Sequence, residues 1–465
     1  MSDAHTNLKK VRDGGYCVGC GACALPGGPG GKMRMTPYGE YEPDLAATVS
    51  PSQLEKACPF LAPELDEDRL AETFLDGREQ SSRELGYYNS ISAAHVEEAE
   101  WRANGSSGGM VSWLAAELLR TGQIDGVIHA RPVSPAPPGG PFYTYGISRT
   151  VDDVAAAAHS HYHVVEMSGV LEEVLETPGR YLFIGVPCFV KAIRRLQTLD
   201  PRLNERIAFT IGLVCGHLKS VNWSLSLGWG AGVPPEELAA IRFREKGEDI
   251  PAKSYHFAVR ARGSDDFLVH DAASIAGGRF NTGAMMLRAC DFCDDVVGET
   301  ADLTVGDAWL PEYQFDWRGK NMIVIRSAHL EALIQAAFNA GRLSLTPLSA
   351  RQAADAQSGG FRHRREGLAY RLEGKKARGE WHPVKRPFKV RPPSPLRRLI
   401  YTLRQEVSLI SREAFVRARS AGNFEVYAGS VRRAMQRLRF AELVSAAPRI
   451  LSVRIRHVLS KDRRS

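Results

Sequence analysis

Residues 181–188 read Tyr-Leu-Phe-Ile-Gly-Val-Pro-Cys, a short apolar run that ends in a proline and a cysteine. Such a run is typical of a buried strand, and a helical pattern follows it at 189–196. A second apolar strand is predicted at 207–215, and it also ends in a cysteine, Cys215. Strands that alternate with helices predict an α/β core with parallel strands.

The same alternation extends outward in both directions. A glycine-rich stretch at 104–109, Asn-Gly-Ser-Ser-Gly-Gly, precedes an apolar helical pattern that ends at Gly122. Turn residues and apolar periodicity indicate the remaining elements of the core. We predict strands at 124–128, 301–305 and 322–326, and helices at 150–158, 169–176 and 330–340.

The composition is that of a globular protein with two or three domains. The chain has 465 residues, of which 44% are hydrophobic and 24% charged, and a single core rarely grows to that length. Its first residues are polar, unlike a signal peptide, and no apolar run approaches the roughly 18 residues of a membrane span. We therefore expect a cytoplasmic location, where grouped cysteines bind metals more often than they form disulfides.

Positive charge is concentrated at the C-terminal end of the chain. Residues 361–465 contain 27 Lys and Arg against 8 Asp and Glu, although the whole chain carries only +7. Arginine-rich helical patterns occur within this region. A basic extension favours an anionic partner, so we expect it to contact the inner face of an anionic membrane or a partner protein. The alternatives are a solvated helical extension or a disordered arm.

The first four of the eight cysteines form a group near the N-terminus. Cys17, Cys20 and Cys23 are separated by two residues each, a spacing that lets successive thiolates converge on one iron–sulfur cube. A bacterial ferredoxin would have its next cysteine at Gly27, so Cys58, which is followed by a proline, is the expected fourth ligand. We predict a 4Fe–4S cluster; a zinc site, structural cysteines, and an unrelated buried Cys58 are the alternatives.

The other four cysteines come from three distant segments. Cys188 and Cys215 each follow a predicted strand, at the edge where α/β sheets bind their ligands. Cys290 and Cys293 form a separate pair with two residues between them. We expect the fold to assemble these four into a second 4Fe–4S cluster. The alternative is a buried Cys215, a reactive Cys188 and a small redox or zinc pair.

Seven short motifs in fixed order resemble one family. They are Cys-x2-Cys-Gly-Ala-Cys, Gly-Ser-Ser-Gly-Gly, Ile-Asp-Gly-Val-Ile, Gly-Val-Pro-Cys, Cys-Gly-His, Cys-Asp-Phe-Cys and Gly-Asp-Ala-Trp. Together they resemble the coenzyme F-420 hydrogenase/dehydrogenase beta-subunit family over residues 13–345. The resemblance implies FAD beside one or two 4Fe–4S clusters, with deazaflavin F-420 among the substrates that members of the family use.

Carried onto this chain, the resemblance implies a flavin site around the glycine-rich stretch. A glycine-rich turn before a helix presents free N–H groups and the positive end of the helix dipole to a phosphate, although Ser and Gly also simply cap helices. The implied cofactor-binding residues are Asn104, Gly105, Ser106, Ser107, Gly108, Gly109, Ser160, Tyr162, Pro187 and Asp307. Asp307 would bind a ribityl hydroxyl or stabilise a turn.

Three residues are candidates for a catalytic role. His161 and His163 match a family stretch near the flavin, where a histidine would donate a proton or stabilise negative charge. The alternative is that both are ordinary surface or core histidines. Lys191 follows Cys188 by one helical turn and would lie near the flavin or an acidic acceptor; a solvated helix face is the alternative.

The expected architecture has four parts within an α/β fold of mixed α+β character. Residues 13–62 form a small ferredoxin-like iron–sulfur module. Residues 90–170 form the N-terminal, flavin-binding part of a mixed-sheet core, and 171–345 form its C-terminal part with the second cysteine group. Residues 361–465 form the basic helical extension.

We interpret the chain as an oxidoreductase that passes electrons from a ferredoxin-like donor through two 4Fe–4S clusters to FAD and an organic small-molecule acceptor. A non-catalytic electron-transfer subunit of a larger redox complex is one alternative. A zinc-binding regulatory protein that binds nucleic acid is another, but the basic region lacks a recognition motif and aromatic residues for base stacking, so no specific nucleic acid is expected.

Overall fold

The computed structural model describes residues 3–25, 31–44, 51–76, 78–248, 250, 254 and 256–461. The predicted N-terminal module includes 26–30, with Gly27, and the predicted tail includes 462–465. Both stretches lie outside the described residues.

Fifteen strands are present in the described part of the chain. They are β1 Met33–Met35, β2 Tyr41–Pro43, β3 Gln80–Ser82, β4 Gly86–Tyr88, β5 Ser90–Val96, β6 Gly126–Pro132, β7 Tyr143–Ser148, β8 Tyr181–Gly185, β9 Ile207–Leu213, β10 Leu238–Glu245, β11 His256–Ala261, β12 Leu268–Asp271, β13 Leu303–Asp307, β14 Asn321–Ile325 and β15 Leu343–Pro347.

Sixteen α-helices accompany these strands in the same described residues. They are α1 Asp3–Asp13, α2 Pro51–Ala57, α3 Glu67–Phe74, α4 Ala99–Asn104, α5 Met110–Arg120, α6 Val151–Ala156, α7 Ser168–Glu176, α8 Pro187–Leu199, α9 Pro201–Arg206, α10 Val221–Gly230, α11 Ala328–Asn339, α12 Ala350–Ala356, α13 Ser358–Arg362, α14 Leu368–Ala377, α15 Pro395–Ala421 and α16 Phe424–Lys461.

The core is an eight-stranded mixed sheet in the order β15-β5-β14-β13-β9-β8-β6-β7. Its four inner strands β13, β9, β8 and β6 run parallel, and antiparallel strands flank them on both sides. The mixed α/β class predicted from the sequence is confirmed. Strand β8 is buried along its whole length, because helices cover both faces of a parallel sheet.

Strand β8 shows how the two faces are filled. Tyr181 and Phe183 belong to the apolar cluster on one face, where α8 packs. Leu182 and Ile184 belong to the cluster on the other face, where α5 and α11 pack. Side chains alternate across a strand, so one short apolar run supplies both layers of the core. Helix α8 then begins with Pro187 at its first turn, a position that tolerates the missing N–H.

Two smaller structures stand against this core. The first cysteine segment packs with α1 and α2, whose Leu8, Val11 and Leu54 are buried in the same cluster as the sheet. Strands β10, β11 and β12 form a separate antiparallel sheet, and a register shift in β10 lies between Phe243 and Glu245.

The C-terminal region is helical, as predicted, but much of it is buried. Helix α15 buries Ile400, Leu403 and Val407 against Ala434 and Leu438 of α16. The alternative of a disordered arm therefore does not hold for residues 395–446. Between the core and α15, a π-helical turn at His363–Gly367 buries two arginines.

None of the described helices is both long and apolar enough to span a membrane.

Candidate redox site

The structure brings the first four cysteines together. Cys17, Cys20, Cys23 and Cys58 line one small cavity of about 20 Å³. Burial raises the pKa of the Cys23 thiol, and the other three thiols raise it further. Cys58 reaches this group from the end of α2. Its carbonyl oxygen accepts a hydrogen bond from the buried guanidinium of Arg195 on α8, which ties the N-terminal module to the core.

Two glycines allow the first segment to wrap closely. Gly19 and Gly21 have φ of +69° and +83°, a region that favours glycine. A Cβ atom at Gly19 would lie 2.7 Å from the Tyr41 carbonyl oxygen. The Gly19 N–H donates to the Cys17 Sγ at 3.4 Å, and N–H groups directed at cysteine sulfurs are a feature of iron–sulfur sites.

The second four cysteines also meet. Cys188 lies in the first turn of α8, Cys215 follows β9, and Cys290 lies in a 3-10 turn at Arg288–Phe292. Burial raises the pKa of the Cys188 thiol, and so do the thiols of Cys293, Cys215, Cys290 and Cys20. The Leu218 N–H donates to the Cys290 Sγ at 3.2 Å.

The two groups are neighbours, and the second borders a large cavity. Cys20 of the first group lies close enough to Cys188 of the second to raise its pKa. Burial and both of these thiols raise the pKa of the Tyr145 hydroxyl. Tyr145 and Cys215 line the same cavity, which encloses about 360 Å³. Of the eight cysteines, Cys215 of the second group is the one that lines the large cavity.

Each group combines four thiols with a backbone N–H directed at one of the sulfurs, from Gly19 to Cys17 and from Leu218 to Cys290. Such N–H groups are a feature of iron–sulfur sites. Among the described residues, no group of three or more His, Cys, Asp or Glu side chains is arranged to hold one metal ion.

Seven of the ten predicted flavin-binding residues line the large cavity: Gly105, Ser106, Ser107, Gly109, Ser160, Tyr162 and Asp307. The catalytic candidates His161 and His163 line it as well. The Ser160 N–H donates to the Ser106 Oγ at 2.7 Å, so the glycine-rich stretch and the histidine segment meet. Gly109 has a φ of +83° at the start of α5. The N-terminal turn of α5 therefore faces the cavity, as an anion-binding site requires.

The other predicted residues lie outside the cavity lining. The Asn104 side chain is paired with Glu100. Gly108 is packed against the Ala94 carbonyl oxygen, where a Cβ atom would approach to 2.7 Å. Pro187 is buried in the first turn of α8.

Lys191 has a different environment from the two that were predicted. Its ammonium lies 2.9 Å from the Glu67 carboxylate, and both side chains are buried. The expectation of a solvated helix face is wrong, because the adjoining α3 and the segment around Lys385 and Arg386 cover this part of α8. Its ion pair also lies apart from the residues that line the large cavity.

The two candidate histidines differ in what they offer a ligand. Both ring nitrogens of His163 are engaged, Nδ1 with the Ser224 hydroxyl at 3.0 Å and Nε2 as acceptor from the Phe142 N–H at 3.3 Å. The Nε2 of His161 contacts the Ala157 carbonyl oxygen at 3.2 Å, so this nitrogen carries the proton. Its Nδ1 is buried without a partner among the described residues. Burial lowers the pKa of both imidazoles to about 3, so both are neutral.

Lys219 is a cavity residue that the sequence did not single out. Its side chain is 1% exposed, and its ammonium donates to the Ala284 carbonyl oxygen at 2.5 Å. The ammonium also lies about 5 Å from the rings of Trp223 and Phe280. Burial lowers the pKa of Lys219 to about 7, and Cys290 partly offsets this.

Arg244 closes the cavity from the small sheet. Its guanidinium donates to the Asp307 carboxylate at 2.7 Å and to the Ser106 carbonyl oxygen at 3.1 Å. It has a φ of +62°, an uncommon conformation for a residue with a side chain, next to the register shift in β10. Asp307 thus holds Arg244 against the glycine-rich stretch, a contact that spacing did not reveal.

The comparisons with known proteins point to one family. Two models of the coenzyme F420 hydrogenase/dehydrogenase beta subunit match, the N-terminal model at residues 91–172 and the C-terminal model at 179–351. One of 14 matching chains of solved structures belongs to the F420-reducing [NiFe] hydrogenase complex from Methanosarcina barkeri. The two chains are 18% identical, with a TM-score of 0.50 over 66% of this chain and 99% of that chain. No curated protein matches.

The beta subunit that these two models describe is a redox subunit. The two family models together match more than half of the chain. The chain belongs to the coenzyme F420 hydrogenase/dehydrogenase beta-subunit family, as the motifs of the sequence indicated.

Proposed function

We propose that this protein is an oxidoreductase that takes electrons from a ferredoxin-type donor and delivers them, through two 4Fe–4S clusters and FAD, to an organic acceptor. The observation that carries the proposal is the continuity of the two thiol groups with the cavity. Cys20 neighbours Cys188, and Cys215 lines the cavity together with the glycine-rich stretch.

The proposed residues would each have a separate task. Cys17, Cys20, Cys23 and Cys58 would hold one cluster, and Cys188, Cys215, Cys290 and Cys293 the other. The first turn of α5 and Arg244 would bind the flavin. When bound, the clusters carry single electrons and the flavin pairs them for a two-electron step.

Lys219 is the best candidate for proton donation in the cavity. Its ammonium is buried beside the second thiol group, and a pKa near neutrality is what proton transfer requires. His161 would accept a hydrogen bond through its buried Nδ1. His163 would position neighbouring groups, because both of its ring nitrogens already have partners.

A cofactor inventory tests this function. Protein purified without oxygen should contain about eight irons, about eight acid-labile sulfides and about one flavin per chain, since each 4Fe–4S cluster has four of each. Zinc in place of iron would contradict the proposal. So would an iron-loaded protein from which flavin is absent under all purification conditions.

An electron-transfer subunit without its own substrate is a second candidate. The matching chain from Methanosarcina barkeri comes from a hydrogenase complex, which favours this alternative. Co-purification with a larger catalytic partner, and no turnover of any organic acceptor by the isolated chain, would support it. Turnover by the isolated chain would exclude it.

The C-terminal helices supply a surface for the proposed contact with an anionic membrane. Phe440 and Leu443 on α16 are 71% and 66% exposed, and Arg437 and Arg439 precede them in the sequence. Exposed apolar side chains among cations suit an anionic lipid surface. Replacing both with serine should weaken sedimentation with vesicles of anionic phospholipid. Equal sedimentation of the variant would contradict this contact.

A further inference from the structure

A buried arginine lies beside the second thiol group. Arg364 is 1% exposed and donates to the carbonyl oxygen of Gly216, the residue after Cys215, at 2.9 Å. Burial raises the pKa of the Cys215 thiol to about 11, and the nearby Arg364 partly offsets this. The Nε of Arg364 is buried with no partner among the described residues.

Arg364 differs from the other buried arginines of its segment. Arg365, Arg371 and Arg386 each lie within 4 Å of a carboxylate, from Glu299, Asp291 and Glu299 respectively. No such ion pair involves Arg364 in the part of the chain that the structure describes. Since a buried cation needs a compensating anion, the anions that remain for Arg364 are the cysteine sulfurs themselves.

The segment that carries Arg364 lies beyond the part of the chain that the family models match, which ends at residue 351. The π-helical turn His363–Gly367 turns both Arg364 and Arg365 inward. π-helical turns are rare and occur frequently at functional sites. The basic C-terminal region therefore places one cation on the second thiol group, a role that its charge alone did not indicate.

We propose that Arg364 is a positioning residue that raises the reduction potential of the second cluster, and so favours electron flow from the first cluster toward the cavity. The inference rests on the proposed function. A reduced cluster carries one more negative charge than an oxidised one. A buried guanidinium beside one of its ligands stabilises the reduced state more than the oxidised state.

The first thiol group has a different arginine beside it. Arg195 donates to backbone carbonyl oxygens of Cys58, Leu61 and Leu65, and so fixes the loop that carries Cys58. Since Arg364 instead contacts the residue after Cys215, removing Arg364 should change the potential of the second cluster and leave that of the first.

A redox titration monitored by electron paramagnetic resonance tests this inference. The signal of the second cluster is the one that Cys290→Ser abolishes. In Arg364→Gln its midpoint potential should fall, while the potential of the first cluster stays at the wild-type value. Arg364→Lys keeps the positive charge but loses the planar fork of donors. The midpoint potential of its second cluster should therefore lie between those of the wild type and Arg364→Gln. Arg371→Gln is the matched control, because Arg371 binds the Asp291 and His363 carbonyl oxygens and not a thiol.

The outcomes separate this inference from the proposed function. Iron is measured first, and a wild-type protein with only about four irons would overturn both. Two clusters in the wild type with an unchanged potential in Arg364→Gln would overturn the inference alone. If Arg364→Gln loses the second cluster, its potential cannot be measured, and Arg364→Lys takes its place in the test. The inference is overturned if Arg364→Lys keeps the wild-type potential, or if it loses the second cluster as well.

Discussion

At the scale of single residues, burial gives the chain its unusual chemistry. Lys219, Lys191 and Arg364 are all cations that a sequence pattern assigns to solvent, yet each is at most 6% exposed. Their partners differ. Lys219 lies near two aromatic rings, Lys191 pairs with a carboxylate, and Arg364 donates to the carbonyl oxygen next to Cys215. The spacing of Cys17, Cys20 and Cys23 allowed a ligand set to be proposed from the sequence alone. It could not predict these cations, because their partners come from distant segments.

The first prediction concerns Lys219. The rate at which reduced clusters reduce the bound flavin should fall as pH rises through about 7, because burial lowers the pKa of Lys219 to that value and only the protonated amine donates. Lys219→Met should be slower by roughly 10²-fold and independent of pH over this range. Stopped-flow flavin absorbance measures both.

Lys246 provides the control for this prediction. Burial also lowers its pKa to about 7, but its ammonium donates to the Arg102 and Ser107 carbonyl oxygens. Lys246→Met should keep the pH dependence. If Lys219→Met keeps it as well, Lys219 is not the proton donor.

A second prediction distinguishes the structural role of Lys191 from a role at the flavin. Lys191→Met leaves the buried Glu67 carboxylate with Arg386 at 3.3 Å as its remaining close cation. The free energy of unfolding should fall by about 3 kcal/mol, which is seen as a lower Tm, while the flavin spectrum stays unchanged. Adding Glu67→Gln to this variant should restore part of the lost stability. A normal Tm with an altered flavin spectrum would instead favour the role at the flavin.

At the scale of elements, the sequence predicted those whose apolar pattern is continuous. β8, α8 and β9 lie where expected, and α11 and α15 do as well. The pattern did not reveal β5, Ser90–Val96, or β15, because their small and polar residues resemble a loop. β5 pairs with β14 and β15 only through long-range contacts, and no local signal encodes such pairing.

The third prediction concerns the start of α5. A Cβ atom at Gly109 would lie 2.6 Å from the Trp101 carbonyl oxygen, so Gly109→Ala should displace the glycine-rich stretch. The variant should keep about eight irons but lose most of its flavin, as measured by absorbance after gel filtration.

Gly122 at the other end of the same helix is the matched control. It also has a positive φ, +67°, but a Cβ atom there would meet nothing within 4 Å. Gly122→Ala should lower the free energy of unfolding by roughly 1–2 kcal/mol through backbone strain, and the variant should keep its flavin. Equal flavin loss in the two variants would mean that strain, rather than the shape of the stretch, is responsible.

At the scale of the whole molecule, the parts expected as separate modules are joined. Helix α8 carries Cys188 of the second group and Arg195, which holds the Cys58 loop of the first. The C-terminal segment contributes Arg364 to the second group. Charge counting identified this region as basic but could not show that part of the charge is internal, because composition carries no information about burial.

The fourth prediction is the most direct test of two adjacent clusters. Both clusters should be paramagnetic in the fully reduced protein. Because Cys20 and Cys188 are neighbours, the two spins should interact and broaden the electron paramagnetic resonance spectrum. Cys290→Ser should give a single, sharp 4Fe–4S signal. A wild-type spectrum with one cluster, or with two that do not interact, would contradict the account.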